Sequence, residues 1–134
     1  LISHRLIGFG TDGGLVGAIR RPGIANPTLY AVFPYVLRKF VVEEELLPLE
    51  EMVRKMTSLP CVAHGIKDRG LIRPGYWADL VVFDPAAISP NVSYDEKMPM
   101  PVANGISLVI VNGEITVRDG THTGARAGRV IRYQ

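Results

Sequence analysis

Asn112-Gly113 stands between two apolar-rich runs, Ile106–Val111 and Glu114–Arg118. A two-residue connection that needs positive φ at both positions is met most readily by Asn-Gly, and it makes the flanking strands pair antiparallel. Any fold for this chain must therefore contain a hairpin near its C-terminal end. Residues 78–84 (ADLVVFD), closed by Pro85, predict another strand, and residues 128–133 a short last one. The stretch between, residues 86–104, holds Pro90, Pro99 and Pro101 with Asn91 and Asn104, and predicts a long surface loop.

Upstream the period changes from two to that of a helix. Tyr30, Phe33, Leu37, Phe40 and Val41 recur at helical spacing, predicting a helix over 34–42 with Pro34 in its first turn. Residues 48–58 are the clearest helix, with Leu49, Met52, Val53 and Met56 forming one apolar stripe. Pro48 suits its first turn, Glu50 and Glu51 suit the positive end of its dipole, and Arg54 and Lys55 the negative end. Ser58-Leu59-Pro60 either ends this helix or starts another short one. Residues 5–9 read as a strand, and 15–29, with Gly17, Pro22, Gly23, Asn26 and Pro27, as a loop. A strand, then helices, then several strands is an odd order for one self-contained domain; it suggests the end of an α/β unit followed by pieces of a small β domain.

With 47% apolar and 21% charged residues, the chain has the composition of a globular protein rather than a disordered one. Fifteen Lys and Arg against thirteen Asp and Glu leave a net charge of +2, which offers no broad attraction for nucleic acid or a membrane surface. No apolar run approaches the roughly 20 residues of a membrane span. The single cysteine, Cys61, leaves no partner for an intramolecular disulfide and fits a reducing compartment, the cytoplasm being the expectation. The 134 residues open on Leu1, almost inside a strand pattern, so the expectation is a segment of a longer protein.

"LIGFGTDGG", residues 6–14, ends an apolar run on Asp12 and two glycines. Asp-Gly after such a run is compatible with a plain turn. The plain turn is the commoner outcome of such a pattern; the other is the rim of an active site, where a strand delivers a carboxylate and the glycines let a substrate approach it.

"EEMVRKMTSLPCVAHGIKDRGLIRPGYWADLVVFDP" (50–85), "VIVNG" (109–113) and "DGTHTGARAGRVIR" (119–132) together resemble the C-terminal end of the N-acyl-D-amino-acid deacylases, or D-aminoacylases, of the amidohydrolase superfamily. The pattern G-x-I-x-x-G-x-x-A-D-L-V-V-F-D from Gly70 to Asp84 is shared widely across that superfamily, and "HTGARAGRV" narrows the likeness to the deacylases. "GTDG" at 10–13 is similar to the family's Ser-Asp-Gly at the end of the last barrel strand, with Thr11 in place of serine. The resemblance implies an α/β fold: residues 1–64 as the C-terminal end of a metal-dependent TIM-like barrel (last strand and following helices), residues 65–134 as part of a small β-sandwich. It implies hydrolysis of N-acyl-D-amino acids to a carboxylate and a free D-amino acid, with zinc as cofactor. In barrel enzymes the chemistry sits at the C-terminal ends of the strands. Asp12 is then the expected acid/base, with the further option of ligating a metal whose other ligands lie upstream, and Gly13 and Gly14 line the substrate mouth. Zinc activates water and polarises an amide carbonyl, and a carboxylate within reach moves the proton from the water to the leaving nitrogen.

The remaining chemistry-bearing residues have plainer readings. His4, His64 and His122 lie far apart without metal-ligand spacing, His64 being read as a core or surface histidine. Cys61 is expected to be a small buried residue, and Asp79 and Asp84 to satisfy turn backbones. Arg118, Arg126, Arg129 and Arg132 come without interleaved aromatics and predict a solvated face. One stretch departs from the family: in "NPTLYAVFPYVL" (26–37), Asn26 replaces a histidine, Thr28 an arginine, Ala31 a glycine and Tyr35 a second arginine. Arginine is the natural partner of a substrate carboxylate, so these changes point to an altered substrate preference or a weakened enzyme. The competing class is a non-catalytic or degenerate module acting as an interaction domain. On either reading the apolar faces of Val36, Leu37 and Phe40, and of Leu49, Met52 and Val53, are expected to lie bare, awaiting the barrel portion they pack on.

Overall fold

The computed structural model describes residues 1–11, 31–91 and 103–132. Helices occupy the first part of this chain and a four-stranded antiparallel sheet the second.

Helix α1 spans Val32–Leu37 and runs on into a wider π-helical turn over Arg38–Glu43, where the Glu44 amide bonds back five residues to the Lys39 carbonyl at 2.9 Å. The local sequence fits the wider turn. Arg38 pairs with Glu43 at 2.9 Å and Lys39 with Glu44 at 3.0 Å, a five-residue spacing that an α-helix would splay onto different faces. Helix α2, Leu49–Met56, starts at Pro48, which is its N-cap rather than its first helical residue. Its first turn carries Glu50 and Glu51 and its last Arg54 and Lys55, as the dipole favours. Thr57, in an irregular conformation, separates it from α3, Ser58–Ala63.

The sheet follows the order β1 (Leu80–Phe83), β2 (Ile106–Val111), β3 (Glu114–Arg118), β4 (Thr121–His122). Val111 faces Glu114 across the Asn112-Gly113 turn, whose two residues have φ of 50° and 85°, so the expected hairpin forms with the expected connection. Val81, Val109, Val117 and His122 line up across the four strands. Bulges interrupt the ladder between Val82 and Phe83 and between Val109 and Ile110.

Three expectations are corrected. Residues 5–9 form no strand: their backbone is taken up by α2 instead, with the Phe9 amide on the Lys55 carbonyl at 3.3 Å. A strand needs a neighbouring ladder, and among the described residues none lies beside this segment. The last strand is Thr121–His122 and not residues 128–132, because Asp119-Gly120, with φ of 46° and 75°, is a second tight turn that returns the chain onto β3 at once; residues 133–134 lie outside the described residues.

The third correction concerns the helix faces. Val36, Leu37 and Met52 are buried together with Ile88, and Phe9, Phe40, Leu49, Phe83 and Ile106 pack around them. Phe40, Leu49 and Val53 are half-buried, so the two stripes cover each other and close on Ile88 rather than standing bare. Among the described residues the most exposed apolar side chains lie elsewhere, Leu1, Leu6, Val62, Ile72 and Val130 foremost, with Leu71, Val81, Val82 and Ile131 about half exposed. Among the described residues no helix is long and apolar enough to cross a membrane.

Candidate functional site

Asp12, Gly13 and Gly14 lie outside the described residues, as do Asn26 and Thr28. After a turn closed by the His4 amide on the Leu1 carbonyl at 2.9 Å, residues 4–9 lie against the last turn of α2. The Lys55 ammonium donates to the carbonyls of His4 and Ile7, the latter at 2.9 Å, and Arg54 donates to the Arg5 carbonyl at 2.6 Å. Glu51 grips the Arg54 guanidinium through both oxygens, at 2.7 and 2.8 Å, and that hydrogen-bonded guanidinium holds the Glu51 carboxyl below its ordinary range.

Of the family departures, Ala31 is buried at the start of α1, while Tyr35 is exposed on it, edge-on to Phe40 with ring centroids 6.4 Å apart. Tyr35 borders an open hollow with Arg38, Lys39, Glu43, Ser89 and Pro90. Both cations there are already engaged, Arg38 by Glu43 and the Ala86 carbonyl and Lys39 by Glu44, so the hollow presents no uncommitted positive charge.

A second cluster knits the sheet to its flanking loops. Arg69 pairs with Asp79 and donates to the Asn112 side chain at 2.6 Å; Asp79 accepts the Asn112 amide at 2.8 Å; the Asn112 side chain donates to the Ala127 carbonyl at 2.6 Å. The Trp77 ring lies under Arg69 at 5.2 Å and Arg129 at 4.8 Å. The Arg69, Asp79 and Asn112 side chains are each engaged by other parts of the chain, which makes this a brace, not a reaction centre. Asp79 serves a turn backbone as expected, and so does Asp84, which accepts the Ala86 amide at 2.9 Å. Arg129 differs from expectation: it is exposed but rests on an aromatic ring that sequence spacing did not put beside it.

The histidines stay apart. All three are exposed; the rings of His4 and His122 accept amides two residues ahead, at 3.3 and 2.9 Å. Cys61 is half-buried rather than buried, and burial pushes its thiol up. Among the described residues no group of three His, Cys, Asp or Glu side chains could hold a metal ion. These residues by themselves do not fit a zinc centre. Sequence reasoning missed the buried Lys55; the signal that could have found it is its place three residues after Met52, one turn along the same side of α2.

The described residues thus form a helical layer followed by a four-stranded antiparallel sheet. The amidohydrolase family model matches residues 6–117, and the chain belongs to that family. Within it, the chain is 40% identical over 132 residues to an N-acyl-D-aspartate deacylase of Alcaligenes xylosoxydans xylosoxydans, covering 98% of this chain and 25% of that protein. The crystal structure of a D-aminoacylase superposes with a TM-score of 0.72 at 43% identity, over 78% of this chain and 22% of that one. An N-acyl-D-glutamate deacylase from Bordetella bronchiseptica, solved with zinc and a phosphonate mimic of the tetrahedral intermediate, gives 0.71 at 38% identity, over 81% and 22%. The chain thus spans about a quarter of the length of the curated relatives it matches.

Proposed function

We propose that this chain is the C-terminal part of a zinc-dependent N-acyl-D-amino-acid deacylase, cleaving the amide of small N-acyl-D-amino acids to a carboxylate and a free D-amino acid. The single observation that carries it is similarity to deacylases, in sequence over 98% of the chain and in backbone over 78% of it. Residues 1–64 complete a TIM-like barrel and residues 65–134 contribute to a small β-sandwich; the exposed apolar side chains of the sheet and its loops pack on the upstream portion. The zinc ligands come from that upstream portion, with Asp12 at the rim of the site.

Asp12 is the acid/base of this reading. A carboxylate accepts the proton of the attacking water, so that attack does not build up an oxonium, and then hands the proton to the departing nitrogen, which leaves as a neutral amine. Gly13 and Gly14 keep side chains out of the mouth. Loss of arginine at positions 28 and 35 removes two partners for a substrate carboxylate, which points to a preference differing from that of the relatives.

Asp12→Asn in the full-length protein tests the assignment. Expected is loss of about 10²–10⁴-fold in kcat on N-acetyl-D-amino acids with acidic and neutral side chains, while circular dichroism and bound zinc stay as in the parent. Near-parental turnover of the variant removes Asp12 from the role. A full-length parent that binds no zinc and hydrolyses none of these amides supports the non-catalytic module instead.

A further inference from the structure

Two stretches that carry the family likeness, residues 70–84 and 122–130, meet where the Arg129 guanidinium stands 4.8 Å from the Trp77 ring centroid. Thr123 still belongs to the sheet: its amide donates to the Thr116 carbonyl at 2.9 Å and its hydroxyl to the Ile115 carbonyl at 2.8 Å. From Gly124, whose φ is 89°, to Arg132 the chain is neither helix nor strand, so no ladder sets its path. Two side chains from elsewhere catch it. Asn112 donates to the Ala127 carbonyl at 2.6 Å, and Trp77 takes Arg129. Both catching groups are themselves fixed. Arg69, 5.2 Å from the Trp77 centroid, pairs with Asp79 and donates to the Asn112 side chain at 2.6 Å, and Asp79 accepts the Asn112 amide at 2.8 Å. Two guanidiniums at one ring repel each other; the Asp79 carboxylate offsets the Arg69 charge and leaves the ring to hold Arg129.

We propose that Trp77 and Asn112 form a clasp, and that residues 124–129 are a strap which closes on it and opens as a unit while the sheet stays folded. The ties have the strength such a device needs. An exposed cation–π contact shifts an equilibrium about 2- to 5-fold, and one hydrogen bond shifts it by roughly 2- to 12-fold. Global unfolding constants lie at about 10³ to 10⁸ against the open state, so releasing the strap is far easier than unfolding the sheet. Val130 and Ile131 lie exposed beyond the clasp, so an upstream portion that packs on them leaves the clasp in place. Closure of the strap does not depend on which reaction the whole protein performs.

Trypsin cleavage of the full-length protein is the test. The Arg126–Ala127 bond lies in the strap, and Asn112 holds its neighbouring Ala127 carbonyl, so a cut there requires the strap to be open. A cut after Arg118, the end of β3, reports opening of the sheet instead. Where closing outruns cleavage, the rate follows the open population. Rates are taken relative to peptides of residues 121–132 carrying the same residue at position 129, which removes trypsin's own preference. Expected for Arg129→Gln is cleavage after Arg126 about 2- to 5-fold faster than in the parent, and for Trp77→Leu at least as much. Arg129→Lys, which keeps a cation at the ring, should fall between, and cleavage after Arg118 should stay parental in all three. In the Trp77→Leu background Arg129→Gln should add nothing, since both act through one contact. Independent effects in the double variant, or an equal acceleration after Arg118, overturn the proposal. Should Trp77→Leu not fold, the exposed Arg129→Gln decides alone: faster cleavage confined to Arg126 supports the clasp, and a parental rate there refutes it.

Discussion

Cys61 shows how one residue's chemistry is set by neighbours distant in sequence. A Cβ on Gly70, whose φ is +81°, would stand 2.8 Å from the Cys61 sulfur and 3.0 Å from the Thr57 carbonyl, so this loop presses on the start of α3. Burial pushes the thiol up, outweighing the pull of the Arg69 guanidinium, and Asp79 adds to the rise. A raised folded value means the thiol's contribution to stability is intact below the ordinary thiol range and is lost as pH climbs through the folded value. Iodoacetamide should accordingly alkylate native Cys61 at pH 8 more slowly than the urea-unfolded chain, the rates converging only at higher pH; equal rates at pH 8 would refute the shielding. Asn112 makes the same point from the other side. Its turn role is plain from the Asn-Gly pair, but that its side chain accepts from Arg69 and donates to the Ala127 carbonyl is not.

At the scale of elements, sequence periodicity located α1, α2 and the β2–β3 hairpin to within a few residues, since each is decided by local spacing and turn chemistry. It does not locate β4 or the course of residues 5–9, which depend on a second turn and on the partners available. Asp119-Gly120 is a turn signal as plain as Asn112-Gly113 and explains β4; residues 5–9 have strand composition, yet composition cannot supply a neighbouring strand. The close approach of Gly105 to the buried Ile88 is likewise a tertiary fact. A Cβ there would sit 2.6 Å from the Ile88 nitrogen and 2.7 Å from the Ala87 carbonyl carbon, at a φ of +77°, and backbone cannot step aside as a side-chain tip can. Gly105→Ala should lower stability by about 1–3 kcal/mol in urea unfolding. Gly128→Ala, with nothing within 4 Å and no positive φ, is the control and should be close to neutral.

The whole molecule divides its apolar surface unevenly. Helical stripes are spent on one another and on Ile88, whereas Ile72 (89% exposed) and Val130 (87%) project into solvent, and Val81 and Val82 lie open on the outer strand of the sheet. Exposed apolar side chains on both faces of an edge strand and on its flanking loops mark an interface or an association hazard. The 134-residue chain by itself should bind a hydrophobic dye and self-associate on sedimentation, and Val81→Thr with Ile72→Thr should reduce both. A monodisperse, dye-silent parent chain would show that these side chains need no cover.

By itself the sequence determined the helices, the hairpin and the family, because periodicity, turn chemistry and motif spacing are properties of neighbouring residues. It also put Asp12 forward as a candidate group, through the likeness of Gly10-Thr11-Asp12-Gly13 to the deacylases' Ser-Asp-Gly. Only the tertiary structure decided which apolar faces close on each other, that Asp119-Gly120 returns the chain onto β3, and that Lys55 is buried on the backbone of residues 4 and 7. Those outcomes depend on which surfaces meet across some fifty residues of chain, and no local pattern of residue types encodes that meeting.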